Sequence, residues 1–194
     1  MEETFGVRFV LQPSDLDVFV SDESGRDVCW VQGPTGRVGR WSLRSLAGDE
    51  LATIRQHGSP FLPRFSIQAP DRSSAELREL PVGRGPRVLA ALRIALAGAP
   101  ARVRYALEVA GEEPLRVDGD ASALEYAFVR GGRPAATVSA YWLAAAATWG
   151  ATVTVADDLD PLVVLAATAT IEIAWGRSGR RHALQPAIPS PVRP

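Results

Sequence analysis

The chain has 194 residues, enough for one domain with a sizeable core, and its 21 basic and 22 acidic residues leave a formal net charge of −1. That balance excludes the global basic field that draws proteins to nucleic acid, so no nucleic-acid partner is expected. A single cysteine, Cys29, excludes an internal disulfide, and the opening Met-Glu-Glu-Thr has neither the basic nor the apolar region of a secretory signal; a cytoplasmic protein is expected.

From Phe5 to Asp157 the chain is a succession of short alternating segments separated by turn residues, the pattern of antiparallel all-β structure. The segments are Phe5 to Leu11, Leu16 to Ser21, Val28 to Gln32, Val38 to Leu46, Leu51 to His57, Phe65 to Ala69, Glu76 to Leu80, Val88 to Leu96, Val103 to Val109, Leu115 to Asp118, Glu125 to Arg130, Ala136 to Tyr141 and Ala151 to Ala156. Thirteen is one or two too many, and Val88 to Leu96 also fits a short amphipathic helix, with Leu89, Leu92 and Leu96 on one side. Turns such as Asp22-Glu23-Ser24-Gly25 and Gly131-Gly132 supply the positive φ that reversals need. The clearest strand places Val103, Tyr105, Leu107 and Val109 on one face and Arg102, Arg104 and Glu108 on the other, which describes a sheet with one wet face.

The last apolar run, Asp160 to Trp175, predicts a helix. Aspartate followed by proline suits a helix start, because the carboxylate accepts from first-turn amides and proline has no amide to lose. The β-branched Val163, Val164, Thr168, Thr170, Ile171 and Ile173 pull toward a strand, but a strand stops at about eight residues and this run continues for about sixteen. Apart from Glu172 it carries no charge on any side, so it must be enclosed. It is shorter than the ~17 to 25 apolar residues of a membrane span and contains Glu172, so protein is the expected enclosure, with Leu162, Leu165, Ile171 and Ile173 in the core. A closed antiparallel barrel of about twelve strands around this central helix follows, spanning 1–175. Residues 176–194, rich in proline and arginine, are expected to form a disordered tail.

The order of features resembles the LURP-one-related family, whose fold is similar to the tubby C-terminal domain and the phospholipid scramblases. The resemblance rests on Phe9-Val10-Leu11, Asp17 to Asp22 with Gly25, Leu51 to Arg55 followed by Arg64-Phe65-Ser66-Ile67, and Val117-Asp118-Gly119-Asp120 with Leu124-Glu125-Tyr126. Ala136 to Ser139 with Trp142, Trp149 to Val153 and the run from Asp160 complete it. It implies a barrel of about twelve strands around an apolar C-terminal helix. It also implies, as the alternative to a protein-binding or scaffold role, a phosphoinositide- or phospholipid-binding, scramblase-like role at a membrane. Tubby-type domains hold headgroups with lysine and arginine, whereas this chain has no lysine and reads Ser139-Ala-Tyr-Trp-Leu-Ala-Ala-Ala-Ala147 where relatives often carry basic residues. Membrane contact is therefore expected to be weak or absent, since attachment to an anionic surface needs several basic residues together at about 1 kcal/mol each.

Arg37, Arg40, Arg44 and Arg55 are the residues that could meet an anion or a lipid headgroup through charge-assisted hydrogen bonds, against the alternative of an ordinary solvated exterior. Gly33 to Arg40 lacks the Gly-Lys-Ser/Thr end of a phosphate-cradling loop. With only His57 and His182 as histidines, and no histidine–cysteine cluster, neither a metal site nor a cofactor is expected. The carboxylate pairs Glu112-Glu113 and Asp157-Asp158 read as solvated turn residues, so a non-enzymatic domain is expected rather than an uncharacterised enzyme. The protein or lipid partner and the oligomeric state have no signature in the sequence.

Overall fold

The structure is a computed structural model, and it describes residues 2–11, 16–33, 39–59, 62–70, 74–80, 104–121, 123–143 and 148–177. Among these residues the strands are Glu3–Leu11 (β1), Leu16–Ser21 (β2), Asp27–Gln32 (β3), Arg40–Ser45 (β4), Glu50–Ser59 (β5), Leu62–Gln68 (β6) and Ser74–Leu80 (β7). Arg104–Val109 (β8), Leu115–Asp120 (β9), Glu125–Arg130 (β10), Arg133–Leu143 (β11) and Thr148–Val155 (β12) follow, and then the helix Pro161–Arg177 (α1). Each strand pairs antiparallel with the next, and β12 pairs with β1 from Glu3↔Val155 to Phe9↔Trp149, which closes the barrel. The expected segment Val88 to Leu96 lies outside the described residues, as do Arg37 and the tail beyond 177.

Alternation along each strand sends one set of side chains inward. Tyr105, Leu107 and Val109 on β8 and Ala151, Val153 and Val155 on β12 are buried, while Arg104 and Thr152 are exposed. Trp41 and Phe65 meet inside with ring centroids 6.4 Å apart, and Tyr126 meets Phe128 at 5.8 Å. Several strands run past the limits set by their hydropathy, because pairing with a neighbour extends them: Ser59 with Leu62 at the end of β5, and Leu143 with Thr148 at the end of β11. Pro134 has no N–H for the ladder and lies opposite Val129, next to the point where the β10–β11 register slips.

The chain enters α1 through a fixed turn, in which the Ala156 N–H donates to the Ala135 carbonyl at 2.9 Å and the Leu159 N–H to the Ala156 carbonyl at 3.1 Å. The Leu162 N–H donates to Asp160 Oδ1 at 3.0 Å, and the Val163 and Val164 amides reach the Asp160 carbonyl at 3.1 and 3.3 Å. Asp160 is therefore the N-cap, with Pro161 at the first helical position. Every residue from Val163 to Ile173 is buried, so the helix is covered on all sides. Leu162 is only partly buried, because it sits in the first turn at the barrel mouth, whereas Leu165, Ile171 and Ile173 lie in the core.

Closure also explains why a segment rich in β-branched residues is helical. A closed barrel offers no free strand edge to an interior segment, so its amides and carbonyls must be satisfied within the segment itself, which only a helix does. α1 packs against β2, β5, β6 and β12. The Thr170 hydroxyl donates to the Ala166 carbonyl one turn back at 2.6 Å, a bond that a helix offers a buried threonine.

Candidate functional site on the outer wall

With α1 inside, the side chains left to meet a partner among the described strand residues are those pointing away from the barrel axis, and the strand register sorts them into rows. One row runs Arg40 (β4), Arg55 (β5), Ser66 (β6), Glu76 (β7), Glu108 (β8), each directly opposite the next. A second, two residues further along the strands, runs His57, Arg64, Arg78, Ala106, Arg116. Like charges therefore face one another at Arg40/Arg55 and at Arg64/Arg78, an arrangement that costs energy in an isolated sheet.

Diagonal acids relieve part of that repulsion. Glu50 lies 3.3 Å from Arg40, Glu76 lies 3.6 Å from Arg64 and 3.7 Å from His57, and Glu108 lies 2.5 Å from Arg78. Arg44 spends its guanidinium on the Gly48 carbonyl at 2.7 Å, bracing the β4–β5 hairpin. Arg55, Arg104 and Arg116 are exposed and make no ion pair among the described residues. Of the arginines expected to meet an anion, Arg40 and Arg55 are brought together, Arg44 is drawn into its own turn, and Arg37 lies outside the described residues.

A polar cluster continues below Arg40. Ser42 and Thr53 are opposite each other on the outer face and are buried, and the Thr53 hydroxyl donates to Glu50 Oε1 at 2.7 Å. That bond, working against desolvation and joined by Ser42, Arg40 and Arg44, holds the Glu50 carboxyl below its ordinary value of 4.5. A depression of ≈ 480 Å³ opens beside it, lined by Glu50, Thr53, Gln68, Ala69, Pro70 and Ser74.

The opposite side of the wall is different. On β1, β12 and β11 the outer rows read Thr4, Thr154, Thr137 and Gly6, Thr152, Ser139, and charge returns at β10 and β9, where Glu125 accepts from the Ala140 N–H at 2.8 Å and Asp118 lies opposite Ala127. At the rim where α1 begins, Arg130 donates to Glu112 at 3.1 Å and to Asp158 at 3.1 Å, joining the β8–β9 turn to the turn that leads into the helix. The expectation that the two carboxylate pairs are solvated turn residues is corrected at Glu112, which is half-buried against Arg130, whereas Asp158 pairs with the same guanidinium and stays largely exposed. Cys29 is buried, and burial pushes its thiol up to about 11. Among the described residues no three His, Cys, Asp or Glu side chains group to hold a metal ion, and no helix is long and apolar enough to cross a membrane.

Sequence reasoning missed Arg64, Arg78, Arg116, Glu50 and Arg130. Alternation alone puts the first three on outer faces, while Glu50, in step with the buried Ala52 and Ile54, comes opposite Arg44 only through the register shift between Leu43 and Arg44; which neighbours they meet depends on strand register, which hydropathy does not encode. Comparison of the chain with protein-family models, with curated proteins and with solved structures gives no match.

Proposed function

We propose that this chain is a non-enzymatic binding or scaffold domain that engages a partner protein through the outer wall of its barrel. The observation that carries this reading is the burial of every residue from Val163 to Ile173: the barrel interior is committed to its own helix, and the chemistry that varies lies outside. The LURP-one-related resemblance, with its barrel around a helix, supports the same reading. The second reading is a phospholipid-binding, scramblase-like surface at Arg40, Arg44 and Arg55, favoured by the exposed guanidinium of Arg55, which makes no ion pair among the described residues. It is the weaker of the two. Arg40 and Arg44 are already engaged by Glu50 and the Gly48 carbonyl, and Glu76 and Glu108 lie further along the row of Arg40 and Arg55, beyond Ser66.

The test is a photo-crosslinking phenylalanine analogue placed at Ser66 on the arginine-bearing side and, in a second variant, at Ser139 on the threonine- and serine-bearing side, expressed in the native host. A discrete protein adduct at Ser66 and none at Ser139 is the expected result. Absence of adducts from both positions, together with turnover of a substrate by the purified chain, would overturn it.

A further inference from the structure

We infer that the barrel rim around Val28 and Leu46 is a docking surface for a basic segment of a partner protein that carries a large apolar side chain. The inference goes beyond the binding reading above, because this surface lies at the end of the barrel where β3 begins and β4 ends, apart from the row that holds Ser66. Val28, 38% exposed, and Leu46, 65% exposed, are the large apolar side chains that the described residues leave in solvent. They are neighbours: Cys29 pairs with Ser45, and Val28 and Leu46 are the next positions on the two strands beyond that pair. Two residues along β3, Trp30 stands directly opposite Phe19 of β2, and both are half-buried, so the apolar strip continues along the outer face. One exposed leucine means little, but apolar groups gathered from β2, β3 and the β4–β5 turn mark a contact surface.

The patch is held in one shape before any contact. In the β4–β5 turn that carries Leu46, the Ser45 N–H donates to the Asp49 carbonyl and the Gly48 N–H to the Ser45 carbonyl, both at 2.9 Å. In the β2–β3 turn the Asp22 N–H donates to the Arg26 carbonyl at 2.9 Å, and Asp22 Oδ1 accepts from the Ser24 N–H at 2.9 Å. A surface fixed in this way loses less freedom on binding. Charge then selects the occupant. On the rim beside Val28 and Leu46 stand Glu3, Asp22, Glu23, Asp27 and Asp49 against one arginine, Arg26, which is 3.1 Å from Asp22; five acids against one base leave an excess of four negative charges. The sign changes in the row of the aromatics, where Arg8 is paired opposite Phe19 and Arg44 opposite Trp30, with Glu50 opposite Arg44. The apolar side chain of the partner therefore belongs on Val28 and Leu46, and its basic side chains over the two turns. A bare polycation would leave Leu46 in water, and an acidic segment or an anionic bilayer would meet the rim carboxylates.

The experiment measures fluorescence anisotropy of a labelled peptide of Lys, Leu and Ser on titration with the full chain, with Lys/Ser and Glu/Leu/Ser peptides as controls. Binding of the Lys/Leu/Ser peptide alone is expected, weakening from low to physiological salt. Leu46→Ser should weaken it about tenfold at either salt, the loss of one buried apolar anchor. Glu3→Gln with Glu23→Gln, both exposed positions, should weaken it at low salt and flatten its salt dependence, and this pair keeps the test valid should Leu46→Ser fail to fold. Ser139→Ala, on β11 away from this rim, should leave binding unchanged. Equal binding of the Lys/Ser peptide, or indifference both to Leu46→Ser and to the glutamine pair, would overturn the inference. So would concentration-dependent pairing of the chain with itself that Leu46→Ser abolishes, since a second copy would then be the occupant. An adduct at Ser66 without peptide binding loses this rim surface alone; peptide binding without an adduct at Ser66 leaves the rim surface standing and counts against the wall.

Discussion

α1 and β5 show two ways of spending a sequence in one fold. From Val163 to Ile173 every side chain of the helix is buried, so no position there is free of packing duty. On β5 the duty alternates: Ala52 and Ile54 are buried while Arg55 and His57 are exposed, and only the intermediate case, Thr53, is an outward residue covered by its neighbours. The difference teaches where this protein can afford change. A substitution in the helix is paid in stability; a substitution on the outer wall should leave the fold alone and alter what the wall can hold.

The sharpest way to break that contrast is Leu165→Asp, which buries a charge where every neighbouring residue is enclosed. A loss of several kcal/mol is expected, against a typical total of about 5–15, so the variant should lose its cooperative melt by circular dichroism. Gly119→Ala comes next. Gly119 has φ +131 and lies opposite Tyr126, where an added Cβ would meet the Glu125 carbonyl oxygen and the Tyr126 Cα, both backbone atoms that cannot swing away. A loss of about 2 kcal/mol in chemical denaturation is expected.

Arg130→Met tests the rim. It removes the guanidinium shared by Glu112 and Asp158 and should cost about 1 kcal/mol, the partly exposed Asp158 contributing less than Glu112. Glu50→Gln sharpens the comparison through pH. Because the folded carboxyl is held below its ordinary value of 4.5, its stabilisation is present above that pH and is lost as the pH falls through the lowered value. The melting temperature of the parent should therefore fall more steeply on acidification than that of the variant. The smallest effect is expected for Arg55→Ser, within about 0.5 kcal/mol in a denaturant melt, since it removes an exposed side chain that makes no ion pair among the described residues. A larger loss would mean that Arg55 is structural and that the wall is not free in the sense claimed.

Much of the architecture was legible in the chain. Strict alternation in segments such as Val103 to Val109 marks strands facing a core, and Asp160-Pro161 before a long apolar run marks a helix start. The limits of the strands were less legible because pairing, and not hydropathy, decides where a ladder stops, as at Ser59 with Leu62. The role of Gly119 in Val117-Asp118-Gly119-Asp120 could not be read locally: what requires glycine is the backbone of β10 across the sheet. The outer wall was the least legible part. Arg40, Arg44 and Arg55 were visible as a group, but their separation into an ion-paired, a turn-bracing and an exposed guanidinium depends on the hairpin and on the register shift between Leu43 and Arg44.

Amide hydrogen exchange along α1 tests the central claim most directly. If the helix is the enclosed core of a closed barrel, the amides of 163–173 should be among the slowest in the protein and should exchange only with global unfolding, their opening free energy matching that of the inner strands as denaturant is added. Exchange of these amides while β5 and β12 stay protected would show that the helix leaves without the barrel opening, and would contradict it.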